Sequence, residues 1–476
     1  MHANYVAIAI VAVYITGLAL VTGVLQRSVK SANTFTSGTT GHTGVPAILV
    51  GLMLMSEFIG TSASVGTAQE AYKVGISASW NILALAAGFV FYGFFLAGKY
   101  KDSGHNTISA ILDEVYGRKT RLATSLVMIF ALEIVAVAIY AGGGTILSIL
   151  LGVDRTYAII VCGFVSVLYV FMGGMKSVVY TNVVHSFIKY IGILTALYFG
   201  ITKIGGFQEL HARIPAGMFS WTHVGWGQIL AWFIAGMGAT FSTQYVIQAI
   251  NTVDNAKSAK IASFSTALLL IPFGIIAALV GMCALALFPN IKSINAFAAL
   301  IGQMDGVMAG IVCAGLAASL FGSIAAFAVA TATLLYKDFY VGVGVGAKVR
   351  TEKSSLTFIR IATVVMGLLP IVLAIYTPNI LSMTFLGKAL RASLSVLVLF
   401  VFFAPWFGTK RGAFLSILAS LVATIAWFMM GNPYGIDNAY VALLVPLVVM
   451  GFSEILKRVR NDSVAAVSAA PSRALD

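Results

Sequence analysis

Asn182, His185, Ser186 and Lys189 stand at i, i+3, i+4 and i+7, the spacing that stacks side chains on one face of a helix. The stretch that holds them, Asn182 to Gly192, is strongly apolar. That face therefore carries a carboxamide, an imidazole, a hydroxyl and an ammonium into surroundings that disfavour charge. A lysine at the centre of a membrane helix costs roughly 2.5–3.5 kcal/mol even on a lenient insertion scale. The cost falls where the ammonium has a partner or gives up its proton, so the chemistry open to Lys189 is ion pairing or proton transfer. The plain alternative is that it snorkels, or pairs with Glu133 or Glu57 as a structural ion pair.

Three more charges lie inside apolar runs. Glu57, in Ser56-Glu57-Phe58-Ile59-Gly60-Thr61, offers a carboxylate that could receive a substrate amine, carry a proton or form a structural pair. Lys388 and Arg391 are three residues apart and share a helix face, where two cations would attract an anion such as a carboxylate. Snorkelling to the outer headgroups is their alternative. Together they favour an anionic or zwitterionic small solute. No Gly-Lys-Ser/Thr phosphate loop is present, which argues against a primary pump, and no nucleophile, base and orienting group cluster as an enzyme needs.

The elements that must position these groups are membrane helices. Of 476 residues 59% are hydrophobic and 9% charged, and the mean hydropathy is +0.96. Apolar runs repeatedly exceed the roughly 20 residues that cross a bilayer. The pattern predicts an all-α integral membrane protein with about thirteen spans, near 4–26, 45–71, 76–98, 121–150, 156–173, 182–201, 227–250, 261–288, 305–335, 357–377, 380–405, 412–430 and 438–456. The net charge of +13 falls mainly in alternate loops, including Arg118, Lys119, Lys257, Lys410 and Arg411, while the opposite loops hold Lys73, Arg155, Lys203, Arg213 and Lys292. That asymmetry predicts an outer N-terminus and a cytoplasmic C-terminus in the plasma membrane, and no nucleic-acid partner follows from it. Cys162, Cys283 and Cys313 fall inside spans and read as packing residues. A short helix is expected near 108–116, and a disordered tail at 461–476.

Two spans look broken. Ser56 to Gly66 and Ala235 to Gln244 put hydroxyls and glycines at membrane depth, where unwound backbone is tolerated only beside a cavity or packed in protein. Interrupted helices five spans apart suit an inverted repeat, with halves at about 45–201 and 227–405 in a transporter domain of 1–460. Ordinary small-residue packing faces are the other reading.

The segment Tyr169-Val170-Phe171-Met172-Gly173-Gly174-Met175-Lys176-Ser177 resembles the signature of the sodium:solute symporter family. Gly60-Thr61 through Ala71-Tyr72-Lys73-Val74-Gly75, Gln244-Tyr245-Val246-Ile247-Gln248 with Asp254-Asn255-Ala256-Lys257, and Ala317 to Ser323 with Lys337-Asp338-Phe339-Tyr340 agree in order and spacing. The resemblance implies a LeuT-type core of five plus five helices, with one helix before it and two after. It also implies a sodium site held by helix-2 carbonyls at about Val50 and Met53, the Ser319 carbonyl and a hydroxyl pair that falls here on Gly322 and Ser323. One hydroxyl is therefore missing. Thr181-Asn182 replaces a frequent Thr-Asp, and His185 replaces a usual Gln. Lys189 would face that site, so protonated Lys189 in place of sodium, coupling transport to protons, is an expectation beside ordinary sodium coupling. Glu57 and Gln244, with Lys388 and Arg391, are the expected solute contacts. The resemblance implies a symporter importing a small organic solute, a carboxylate or amino acid, through lipid and without a cofactor beyond the coupling ion. A ligand-binding sensor on the same fold and a channel are the alternatives. The oligomeric state is not legible.

Overall fold

The computed structural model describes residues 4–26, 31–37, 44–173, 175–342, 351–377 and 380–469, so Gly174 of the signature motif lies outside it. Every element among the described residues is helical. The helices of eight residues or more are α1 (Tyr5–Gln26), α2 (Ala47–Phe58), α3 (Thr61–Val74), α4 (Trp80–Phe95), α5 (Ile108–Tyr116), α6 (Arg118–Leu151), α7 (Arg155–Gly173) and α8 (Met175–Ile204). They continue as α9 (Trp226–Ser242), α10 (Gln244–Asn251), α11 (Ala256–Leu287), α12 (Gly306–Leu334), α13 (Glu352–Ile375), α14 (Ile380–Phe403), α15 (Lys410–Met429) and α16 (Asn438–Ala469).

Ten stretches of the described chain are long and apolar enough to cross a membrane. One of them, Thr61–Phe95, turns back on itself at Gly75, whose φ of 64° suits only a residue without Cβ. Asn81 Nδ2 consequently donates to Thr67 Oγ1 at 2.7 Å, across fourteen residues of sequence. The shorter apolar helix α2, helix α7 and the pair α9–α10 fall outside those ten stretches, and the expectation of about thirteen crossings counts them too.

Both expected interruptions are present. Between α2 and α3, Ile59 (ψ 72°) and Gly60 (ψ 178°) leave helical geometry. Between α9 and α10, Thr243 alone is extended (φ −71°, ψ 131°). Each break frees backbone groups that neighbouring helices must satisfy, since lipid cannot. At the first break Ser323 Oγ of α12 donates to the Glu57 carbonyl at 2.8 Å, and at the second the Tyr100 hydroxyl donates to the Phe241 carbonyl at 2.5 Å.

Helix pairings follow a rule: α8 lies along α12, and α14 along α6. Likewise α11 packs on α2 and α3, and α4 on α9; α2 meets α8, and α9 meets α14. Gly192 of α8 and Gly315 of α12 touch backbone to backbone, because a Cβ on either would come within 2.9 Å of the other's Cα. Small residues permit this approach, as packing in lipid requires.

Two expectations need correction or placement. Residues 461–469 continue α16 instead of unravelling, in keeping with the alanine-rich run there; 470–476 lie outside the described residues. Cys162, Cys283 and Cys313 are free and buried in helix contacts.

Candidate functional site

Breaking α2 at Ile59 turns the end of that helix toward α8 and α12. Lys189 Nζ donates to the Ser56 carbonyl and, at 2.8 Å, to Ser56 Oγ. Ser56 Oγ in turn donates to Asn182 Oδ1 at 2.6 Å, and Asn182 Nδ2 reaches the Gly322 carbonyl at 3.4 Å. Ser186 Oγ donates to the Leu52 carbonyl at 2.7 Å. From α12, Ser323 Oγ donates to the Glu57 carbonyl at 2.8 Å. Three of the four residues read as one face of α8, Asn182, Ser186 and Lys189, therefore do converge on the broken helix. His185 Nδ1 hydrogen-bonds Tyr14 of α1 at 2.5 Å, a partner that nothing in the sequence around Tyr14 singles out.

Lys189 is 1% exposed, so it does not snorkel, and no carboxylate lies within 4.0 Å of its ammonium among the described residues. Neither Glu57 nor Glu133 is its direct ion-pair partner. Its charge rests instead on a carbonyl and a hydroxyl at a helix break, the kind of oxygen ligand a small monovalent cation takes. A cavity of about 10 Å³, room for one water, touches Lys189, Ser64 and Ser319.

The expected carbonyl ligands shift along the chain. Val50 and Met53 are buried in the regular part of α2, and the 1.5 Å rise per residue puts them about 9 Å and about 4.5 Å before Ser56 along its axis. Ser56 supplies the carbonyl that meets the cation. The missing hydroxyl at Gly322 also has a cause: a Cβ there would come within 2.4 Å of Asn182 Oδ1 and 2.9 Å of Ser56 Oγ. Gly322 is what lets the Ser56–Asn182 contact close.

Glu57 is 1% exposed, and neither carboxylate oxygen has a hydrogen-bond partner among the described residues. The ring of its neighbour Phe58 lies 5.2 Å from that of Tyr245, whose hydroxyl accepts from Arg391 Nη1 at 3.5 Å. Arg391 also donates to Thr243 Oγ1, the extended residue of the second break, at 3.0 Å. Lys388 Nζ donates to Asn81 Oδ1 at 2.8 Å and lies 4.7 Å from the centre of the Phe385 ring. Both cations are inside the bundle, Lys388 4% and Arg391 1% exposed, and neither pairs with a carboxylate among the described residues. Arg391 at one break and Lys388 one turn before it thus have no acidic partner among the described residues, whereas Glu57, at the other break, makes no hydrogen bond but feels the charge of Lys189.

Gln244 is used differently. Its side chain accepts from the Ile108 N–H at 3.0 Å and donates to the Asn106 carbonyl at 2.8 Å, clamping α10 to the loop before α5. A second clamp lies nearby: Asp338, fully buried, accepts from Ser109 and Ser125 and from Arg121 Nε at 2.7 Å. It sits on the wide-turn segment Leu335–Val341 that extends α12.

Comparison with known proteins gives the family and the fold. The profile of the sodium:solute symporter family matches residues 39–420. The human high affinity choline transporter 1 is 22% identical over 250 residues, covering 51% of this chain and 43% of that protein. The chain thus spans less than half the length of that relative. A sodium/proline symporter of Staphylococcus aureus is 20% identical over 393 residues, covering 77% of this chain and 76% of that protein. Among solved structures, a substrate-bound, outward-open Na+-coupled sialic acid symporter superposes with a TM-score of 0.79 at 17% identity, over 95% of this chain and 97% of that one. The fold is LeuT-like, and these relatives are transporters, not enzymes. With the second and seventh spans broken, the Lys189 face turned to the first break and the profile running through both, the chain belongs to the sodium:solute symporter family.

Proposed function

We propose that this protein is a secondary active symporter that moves a small organic solute across a membrane by alternating access, with Lys189 standing where the coupling cation binds. The observation that carries the reading is the Lys189 ammonium on the Ser56 carbonyl and hydroxyl at the α2–α3 break. Ser323 and Gly322, the expected cation-side residues of α12, border the same place. A cation built into the chain needs no sodium to fill that position, and protonating and deprotonating it couples the solute to a proton gradient. Sodium coupling is the family's usual form and remains the reading against which this one is tested.

The helix pairings support the two-halved architecture. Replacing each span by its counterpart five away in the other half, so that the α2–α3 span and the α9–α10 span exchange, as do α8 and α14 and also α6 and α12, turns each pair into its partner pair. An odd shift of five reverses the direction of every span, as an inverted repeat demands. The solute sits between the two breaks. Arg391 and Lys388 would hold its carboxylate, and Glu57, left without a partner, would hold an amine. An amino acid supplies both, and a simple carboxylate would leave Glu57 to take a proton.

The test is uptake into proteoliposomes from a panel of amino acids and organic acids, driven in turn by an imposed pH gradient and an imposed sodium gradient. Proton-driven uptake without sodium is the expected result. Uptake that requires sodium and ignores pH overturns the lysine reading. If Glu57→Gln lowers uptake of an amino acid and of its deaminated analogue equally, the amine assignment is overturned.

A further inference from the structure

One end of the bundle carries a charge arrangement that the transport site does not use. Helices α6 and α15 begin side by side there, and between their first turns lies a cavity of about 470 Å³. Arg118 and Lys119 line it from α6, Lys410 and Arg411 from α15. All four are exposed, and none pairs with a carboxylate among the described residues. Arg118 alone has a recorded partner, the Gly342 carbonyl at 2.8 Å, which leaves its charge uncancelled.

The position of these cations runs against helix electrostatics. A helix N-terminus carries unpaired N–H groups and a partial positive charge, and it is stabilised by acidic side chains in its first turn. Neither helix has an acidic residue there; α6 has Arg118, Lys119 and Arg121 instead, and α15 has Lys410 and Arg411. The α6 N-cap is Gly117, which offers no side-chain oxygen to the first N–H groups. Although Thr409 caps α15 and Asp338 and Glu454 lie near the two helix starts, no carboxylate lines this cavity, and its four side-chain cations suit an anion supplied from outside the chain.

The cavity also has an apolar wall. Phe414 and Leu415, one turn further along α15, line it, and Leu415 is 56% exposed, as a lipid-facing residue is. Trp406, 60% exposed, sits just before α15 at the same level, where an amphipathic ring marks the boundary between headgroups and hydrocarbon. A ligand that fits needs a multiply bonded anionic head at the helix ends and an acyl chain beside Leu415. We infer that this cavity is a binding site for an anionic phospholipid, whose phosphate sits between Arg118, Lys119, Lys410 and Arg411. Basic pockets between membrane helices bind such headgroups by these means.

The experiment uses the delipidated full chain in neutral detergent, with native mass spectrometry counting bound lipid and thermal unfolding reporting stabilisation. Phosphatidylglycerol, phosphatidylcholine and inorganic phosphate are titrated separately. Phosphatidylglycerol is expected to bind at least tenfold more tightly than phosphatidylcholine, and inorganic phosphate to give little stabilisation. The double variant Lys410→Gln/Arg411→Gln, and the milder Lys119→Gln, should weaken phosphatidylglycerol binding about tenfold and a few-fold. Lys257→Gln/Lys260→Gln, which removes two cations at the start of α11, should leave it unchanged. Equal binding of the two lipids, equal stabilisation by inorganic phosphate, or equal loss in the α11 control each overturns the proposal. Should the double variant not fold, the Lys119→Gln comparison decides.

Discussion

At the scale of the residue, Lys189 governs the proposal and makes its sharpest prediction. Lys189→Ala removes the ammonium that binds the Ser56 carbonyl, and proton-driven uptake in proteoliposomes should fall at least tenfold, with the protein still monodisperse. Gly322→Ser should also reduce uptake, because its side chain would meet Asn182 Oδ1 and Ser56 Oγ at less than van der Waals distance. Overpacking of this kind costs about 1–3 kcal/mol, visible as a lowered melting temperature. If Gly322→Ser transports normally and gains sodium dependence, the glycine is instead an emptied sodium ligand. Much of this cluster was legible in advance: the i, i+3, i+4, i+7 spacing brings Asn182, His185, Ser186 and Lys189 together whatever the tertiary fold. What they touch was not. The family resemblance implied carbonyls at Val50 and Met53, whereas the carbonyl that Lys189 meets is that of Ser56, nearer the interruption, whose position the sequence does not reveal.

At the scale of the element, the wide-turn segment after α12 and the start of α10 are clamped by loops before and within α5 and α6. Asp338→Asn leaves Arg121 short of its buried partner and Ser109 and Ser125 with a weaker acceptor. Breaking a pair that is buried on one side should cost roughly 2–3 kcal/mol, read from thermal unfolding. Gln244→Ala should act similarly, by about 1–2 kcal/mol, and leave the solute KM unchanged, since its carboxamide serves the Asn106–Ile108 loop. A rise in KM of tenfold or more would restore Gln244 to the solute site. The sequence placed a helix at 108–116 from its spacing alone, and the helix is present. A buried glutamine in a broken span reads the same whether it faces a ligand or a loop, and only the tertiary partner separates the two. Tyr14 shows the same limit from the other side: an isolated tyrosine on a lipid-facing helix announces nothing, yet it closes on His185.

At the scale of the whole molecule, the alternation of basic loops predicts an orientation that labelling can check. The three native cysteines are buried, so cysteines introduced at exposed Lys292 and Lys257 can be read separately. Lys292→Cys should react with a membrane-impermeant maleimide in intact cells, and Lys257→Cys only after permeabilisation; the reverse pattern would invert the topology. The contact of Gly192 with Gly315 bears on how such a molecule moves. Where the two backbones touch no side chain lies between them, so in the proposed cycle α8 and α12 would move together as one piece. Lys189 rides on that piece one turn from Gly192, Ser323 rides on it too, and Ser56 belongs to the other part. The bond between ammonium and carbonyl is then a latch across a fulcrum, and each turn of the cycle has to unfasten it.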